Sequence, residues 1–183
     1  MIDNASTDRS GEIAYKAGAT VVKEKRQGVA RARLTGFKQA SGDILAYTDA
    51  DCIADEGWLK IISKAFSNEK VVAINGRVYM VNMKTKDYEK HDNAYWKFYH
   101  PLATKINKPI FWGANFAAKK SSLKEKYFPT HLVTYEDLEI ARKLAKNKKQ
   151  GEKILYLKDA NEIPFLLSID RSVFCLYRSS VLT

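Results

Sequence analysis

A run of apolar residues, Ile44 to Thr48, ends directly on two carboxylates two positions apart, Asp49 and Asp51. The run has the length of a β-strand. On a continuing strand, residues i and i+2 face the same side, so both carboxylates can converge on one ion at the strand end. Their oxygens are hard donors suited to Mg²⁺ or Mn²⁺, with phosphate oxygens and water completing the shell. On an ordinary turn the same pair would simply face solvent.

The flanking sequence alternates between two periods. Ser6, Thr7 and Asp8 can cap a short helix through Tyr15 that Gly18 ends, and Thr20 to Lys23 is a β-branched run. Val29, Ala32, Gly36, Phe37 and Ala40 recur at helical spacing after Gly28, and Ser41-Gly42 closes that helix. Trp58, Ile61, Ile62, Ala65 and Phe66 mark a second amphipathic helix, followed by strands over Val71 to Ile74 and Arg77 to Val81. Strands separated by helices predict an α/β layer fold around a mostly parallel sheet. Beyond it, an aromatic-rich helix is expected within residues 87–106, interrupted by Pro101, then a strand or buried loop over Ile110 to Ala118. A helix is expected over Thr134 to Lys146 and a strand over Ile154 to Leu157. Residues 1–160 read as one domain. Residues 161–183 read as a tail in which Leu166, Ile169, Val173 and Leu176 share one side of a loose amphipathic helix.

Composition excludes several classes. Apolar residues make up 45% and charged residues 28% of 183 residues, ordinary for a globular chain. No apolar run reaches membrane-span length, and no secretory leader is visible, so a cytoplasmic location is expected. Cys52 and Cys175 lack metal or redox spacing and are expected as reduced thiols. The net charge is +10, and it is uneven: residues 1–83 carry 12 basic and 10 acidic side chains, residues 84–183 carry 19 and 11. The second half therefore favours an anionic partner: a phosphate-bearing substrate, an anionic bilayer that holds the protein peripherally, or nucleic acid.

Three further polar clusters stand out. Glu136-Asp137 opens a predicted helix, where the pair either complements the helix dipole or supplies a general base. Asp3 precedes a turn, Asn4 to Asp8, rich in hydrogen-bonding side chains, and stands freer than its neighbours to meet a ligand. Arg31 and Arg33 follow Gly28 and could grip a diphosphate bidentately.

The order DNASTD, GVARARLTG, GDILAYTDAD, WGANFAAKKSSL, YEDLEIARKL resembles the inverting glycosyltransferases of family 2, with the GT-A fold, from Ile2 to about Asp159. The resemblance implies a nucleoside-diphosphate-sugar donor and a divalent metal, Mn²⁺ or Mg²⁺. It implies that Asp3 contacts the base, Arg33 lies near the nucleotide, Asp49 touches the ribose or sugar, and Asp51 binds the metal. It implies that Gly113, Ala114, Asn115 and Glu136 line the sugar and acceptor pocket and that Asp137 is the catalytic base. The acceptor would be a saccharide or lipid-linked hydroxyl in cell-envelope polysaccharide synthesis, with no nucleic acid partner. Two features depart from the family: Leu34 stands where Asn is frequent, and no Gln-x-x-Arg-Trp signature occurs. The family's first strand and helix, with a Pro-x-Tyr-Asn-Glu-like segment, are also expected to be missing, because only Met1 and Ile2 precede Asp3.

Three rival readings remain at this level. A haloacid-dehalogenase-like phosphatase would use Asp49 as nucleophile and Asp51 as acid/base, although Cys52 stands where that motif prefers Thr or Val. A basic nucleic-acid-binding domain would use Tyr88, Tyr95, Trp96, Phe98 and Tyr99. A truncated, inactive relative would keep the fold without turnover.

Overall fold

The computed structural model describes residues 1–80, 94–106, 108–157, 165–167 and 175–176. Its centre is a five-stranded sheet in the order β10-β3-β7-β5-β8, formed by β3 (Ile44–Thr48), β5 (Val71–Gly76), β7 (Asn115–Lys119), β8 (Lys153–Leu157) and β10 (Cys175–Leu176). β5 and β8 pair parallel, and β7 runs antiparallel between β3 and β5. Strands β3, β5 and β8 therefore share one direction, but only the β5–β8 pairing is parallel, so the sheet is mixed rather than the mostly parallel one expected. β7 takes up the second half of the expected Ile110 to Ala118 run, and its antiparallel direction is what the alternation does not announce, because nothing in an apolar run encodes strand direction. Its insertion brings the start of β7 beside the carboxyl ends of β3 and β5. That edge is where open α/β sheets place their ligands.

Side-chain alternation builds two apolar layers. Leu45, Tyr47, Phe116 and Ala118 face α5 (Glu136–Asn147), which contributes Ile140, Ala141, Leu144 and Ala145. Leu34 and Phe37 of α2 (Val29–Gln39) pack on the same side. Ala46, Ile74 and Ala117 face the other way, toward Trp58, Ile62 and Phe66 of α3 (Trp58–Phe66). Covering on both faces explains why β5 is buried at all six positions and reads as an unbroken apolar run until Asn75.

Two smaller sheets flank this core. β1 (Ile2–Asp3) pairs parallel with β2 (Val22–Lys23), so the expected strand from Thr20 shortens to its last two residues. β4 (Cys52–Ala54) and β6 (Tyr79–Met80) flank β9 (Phe165–Leu167). The expected strand Arg77 to Val81 is reduced to Tyr79–Met80, and Val81 lies outside the described residues.

The tail differs from the helical expectation. Leu166 pairs in β9 with Ile53 and Tyr79, and Leu176 pairs in β10 with Tyr47. Neighbouring strand edges offer these residues backbone hydrogen bonds that outweigh a weak helical periodicity. Ile169 and Val173 lie outside the described residues.

α1 (Ser10–Lys16) starts later than its polar turn suggests. Asp3 Oδ1 accepts the Ser6 N–H at 3.1 Å and Asp8 Oδ1 the Ser10 N–H at 2.9 Å, while Ala5 adopts a positive φ of 58°. These local bonds hold the turn open instead of beginning the helix. Of the expected helix within 87–106, residues 87–93 lie outside the described part. The remainder is a π-helical segment, Tyr95–Tyr99, running into α4 (His100–Lys105). Pro101 lies just after the π-helical turn, and the helical run continues through it, so it does not interrupt the element as expected.

α2 is set in place by side chains from the segments before it. Asn4 donates to the Arg26 carbonyl at 2.8 Å and accepts from the Gly28 N–H at 2.8 Å. Gly28 has φ 134°, a conformation open to glycine alone. Glu24 accepts from the Arg26 N–H at 2.9 Å and from the Thr35 hydroxyl at 2.7 Å. The Arg26 N–H, then the Thr35 hydroxyl, then the Arg26 side chain hold the Glu24 carboxyl down at about 2, against an ordinary 4.5. A depressed carboxyl stabilises the fold fully above 4.5, and that contribution is lost as pH falls from 4.5 toward about 2. Glu24→Gln should therefore flatten the fall of unfolding free energy across that window, measured by urea melts at stepped pH. An unchanged slope would refute the clamp.

Candidate active site

The site begins with Arg33. It lies on the inward face of α2 and is only 3% exposed, which is rare for an arginine. Its Nη1 donates to Glu136 Oε1 at the start of α5, and its Nη2 lies 3.4 Å from Asp49 Oδ1 at the end of β3. Its Cζ stands 5.8 Å above the Phe116 ring of β7. One guanidinium thus joins two helices and two strands.

Gly113 fits beneath that guanidinium. A Cβ there would lie 2.1 Å from Arg33 Nη2 and 2.9 Å from Cζ. The Gly113 N–H instead donates to Asp137 Oδ2 at 2.8 Å, and Asp137 Oδ1 accepts the Leu138 N–H at 2.8 Å. Tyr135, just before α5, is left-handed with φ 63°. Consecutive positions of the first helical turn point about 100° apart, so the two carboxylates diverge. Glu136 turns inward to Arg33 and is buried, while Asp137 stays half-buried on the Gly113 loop.

The loop rests on a polar lattice inside the sheet. Asn115 accepts from Trp58 Nε1 at 3.0 Å and donates to the Arg77 carbonyl at 3.0 Å. Asn75 donates to the Asn115 carbonyl at 2.8 Å and to the Trp112 carbonyl at 3.3 Å. Gly76 must be glycine at this crossing, because a Cβ would lie 2.4 Å from Asn115 Nδ2. Asn75 and Trp58 were missed in the sequence as members of this site. The available signal was Asn75 at the end of the apolar run Val71–Ile74, the same pattern that draws attention to Asp49.

Electrostatics confirm that the carboxylates converge. Burial raises the Asp49 carboxyl above its ordinary range; Arg33 opposes the rise, and Asp51, Glu136 and Asp137 add to it. Cys52 donates weakly to Asp51 at 3.7 Å, and burial, with Asp49 and Asp51 nearby, pushes its thiol up to about 12. It is an unreactive thiol. Asp3 is not the free residue expected: it is 7% exposed, its Oδ1 is taken by Ser6, and Gly11 leaves room for its Oδ2. Ala114 is buried beside Gly113. Arg31 stays half-exposed at the start of α2.

Asp49 has three neighbouring acids, Asp51, Glu136 and Asp137, and one cationic neighbour, Arg33, among the described residues. Asp51 is half-buried and takes no cationic side chain among the described residues. Also among the described residues, no group of three His, Cys, Asp or Glu could hold an ion unaided. By itself Asp51 offers hard oxygens of the kind a divalent cation takes, so an ion bound there would draw its other ligands from a phosphate ligand and water.

The chain matches the model of the family "Glycosyl transferase family 2" over residues 1–126. It belongs to that family, which sets the phosphatase reading aside. A Haloferax volcanii relative, the low-salt glycan biosynthesis hexosyltransferase Agl6, is 29% identical over 68% of this chain and 29% of its own length. S. aureus TarS (residues 1–349) superposes with a TM-score of 0.71 at 18% identity, over 91% of this chain and 50% of TarS. Glucosyl-3-phosphoglycerate synthase from Mycobacterium tuberculosis, in complex with Mn²⁺, UDP-glucose and phosphoglyceric acid, superposes at 0.55 and 16% identity, over 85% of this chain and 56% of that one. The two structures share the GT-A fold. The chain spans under a third of that curated relative and about half of these structures.

Gly113→Ala should push the guanidinium off Glu136 and Asp49 or lift the loop off Asp137. Either costs about 1–3 kcal/mol, the usual range for overpacking. A urea melt within 0.5 kcal/mol of the unmutated chain would show that Arg33 is not pinned.

Proposed function

We propose that the protein transfers a sugar from a nucleoside-diphosphate sugar to an acceptor hydroxyl, with inversion at the anomeric carbon and with a divalent metal. The observation that carries the reading is the gathering of Arg33, Asp51, Glu136 and Asp137 about Asp49, at the carboxyl end of β3. The donor class is supported by the Mycobacterium tuberculosis synthase, whose complex contains Mn²⁺ and UDP-glucose.

In this reading Asp51 holds the metal. When bound, the ion stabilises negative charge on the departing diphosphate. Asp49 lies toward the ribose or sugar, held in place by Arg33. Asp3 and the turn behind it form part of the wall around the base. Arg33 is close to the nucleotide, but its guanidinium is committed to Glu136 and Asp49, so it acts by holding carboxylates rather than by gripping phosphate.

Asp137 takes the proton from the attacking acceptor hydroxyl. Each of its oxygens accepts one backbone N–H and retains a lone pair for that proton. Glu136 is the weaker candidate for base because it is buried and turned inward onto Arg33, away from the half-buried position that Asp137 holds on the Gly113 loop. Gly113, Ala114 and Asn115 line the acceptor side, where a main-chain surface without bulky side chains lets the hydroxyl approach Asp137. Single displacement then gives inversion. The acceptor is a saccharide or a lipid-linked hydroxyl, reached by a protein at the membrane surface.

Two substitutions test these roles. Asp51→Ala should weaken Mn²⁺-dependent binding of UDP by at least tenfold in titration calorimetry, with an unchanged far-UV spectrum. Equal Mn²⁺-dependent binding would remove Asp51 as the metal ligand. Asp137→Asn should lower UDP-glucose turnover by about 10²-fold or more, with UDP affinity within about twofold. Near-normal turnover would move the base elsewhere. UDP binding by the unmutated chain without any turnover would identify a non-catalytic relative.

A further inference from the structure

The segment of Tyr95–Tyr99 and α4 carries an apolar face that the catalytic reading does not use. Ala103 is buried against the protein, while Phe98, Tyr99, Leu102 and Ile106 are 56–65% exposed. Phe98, Leu102 and Ile106 are spaced i, i+4, i+8, which puts them on one helix face. The Ile106 N–H still donates to the Leu102 carbonyl at 3.0 Å, so the helical turn continues to the last of them.

Within this described segment and the chain that follows it, the charge has one sign. From Ala94 to Lys124 the sequence contains no Asp or Glu and six lysines. Lys97, Lys105 and Lys108 are exposed, and the Lys97 ammonium stands 5.6 Å above the Phe98 ring. An apolar stripe bordered by exposed lysines and free of acids is the pattern of a helix that lies in a membrane interface. A second copy of the chain is a poor occupant, because it would bring the same cations face to face.

We propose that this helix docks the protein on an anionic bilayer, with Phe98, Leu102 and Ile106 among the acyl chains and Lys97, Lys105 and Lys108 at the headgroups. The docking surface and the site are close in the chain. Seven peptide steps separate Ile106 from Gly113, which caps their distance at about 25 Å even for extended backbone. The proposal rests on, and deepens, the membrane-surface acceptor named above.

The test is co-sedimentation with phosphatidylcholine vesicles and with vesicles of seven parts phosphatidylcholine to three parts phosphatidylglycerol, at low salt and in 0.5 M NaCl. The unmutated chain should bind the anionic vesicles at least tenfold more tightly than the neutral ones and should weaken in high salt. The triple variant Phe98→Ser, Leu102→Ser, Ile106→Ser and the triple variant Lys97→Glu, Lys105→Glu, Lys108→Glu should each lose at least tenfold. The single variant Leu102→Glu repeats the test should a triple variant fail to fold. Equal recovery on both lipids, no recovery on either, or variants that bind like the unmutated chain would overturn the proposal. A dimer in sedimentation velocity that the serine variant dissolves, without vesicle binding, would overturn it in favour of self-association. UDP titration with Mn²⁺ runs in parallel. Intact nucleotide binding without vesicle binding rejects only the docking helix, and vesicle binding without nucleotide binding rejects only the transferase reading.

Discussion

The buried guanidinium of Arg33 is the constraint on which the rest of the site depends. Removing a charge from water is expensive, and it is repaid only when partners surround it. Glu136 and Asp49 do so from two different elements, with Phe116 packed beneath. Breaking a buried pair typically costs about 3–5 kcal/mol, because the partner stays buried and uncompensated. α2, the end of β3 and the start of α5 are thereby held in one arrangement. The glycine at 113 follows from the same contact, since no side chain fits between the loop and the guanidinium.

That arrangement also divides labour between carboxylates of similar chemistry. Glu136 neutralises Arg33, and Asp137, one residue later, faces the Gly113 loop. The step of about 100° between consecutive helix positions makes this divergence possible. Asp49 is partly neutralised by Arg33, yet burial and three neighbouring acids still raise its carboxyl. Asp51 faces no cationic side chain among the described residues, and the proposed reading gives its oxygens to a metal. Position around one cation, rather than residue type, separates these roles.

Side chain to main chain bonds then carry rigidity outward. Asn75 and Asn115 tie β5, β7 and the loop before β7, with Trp58 reaching in from α3. Asn4 and Glu24 do the same for the approach to α2. Amide and carboxylate groups buried in an apolar layer are costly unless bonded, so each holds a specific loop in one conformation.

Sequence alone determined the elements whose signal is local. β3 and α3 have the bounds that apolar period and length predict, because packing on a sheet face demands that period. The acidic pair after β3 and the pair opening α5 were legible as chemistry for the same reason: a charge at the end of an apolar run has few other uses. Tertiary structure decided what depends on distant partners. The direction of β7, the strand pairing of Leu166 and Leu176, and the enclosure of Asp3 all rest on which backbone edge or turn lies nearby. Arg33 reads in sequence as an exposed diphosphate grip, yet its nearest anion is 103 positions away. No local pattern encodes that separation; only the folded sheet brings the two charges together and excludes the water that would otherwise solvate them.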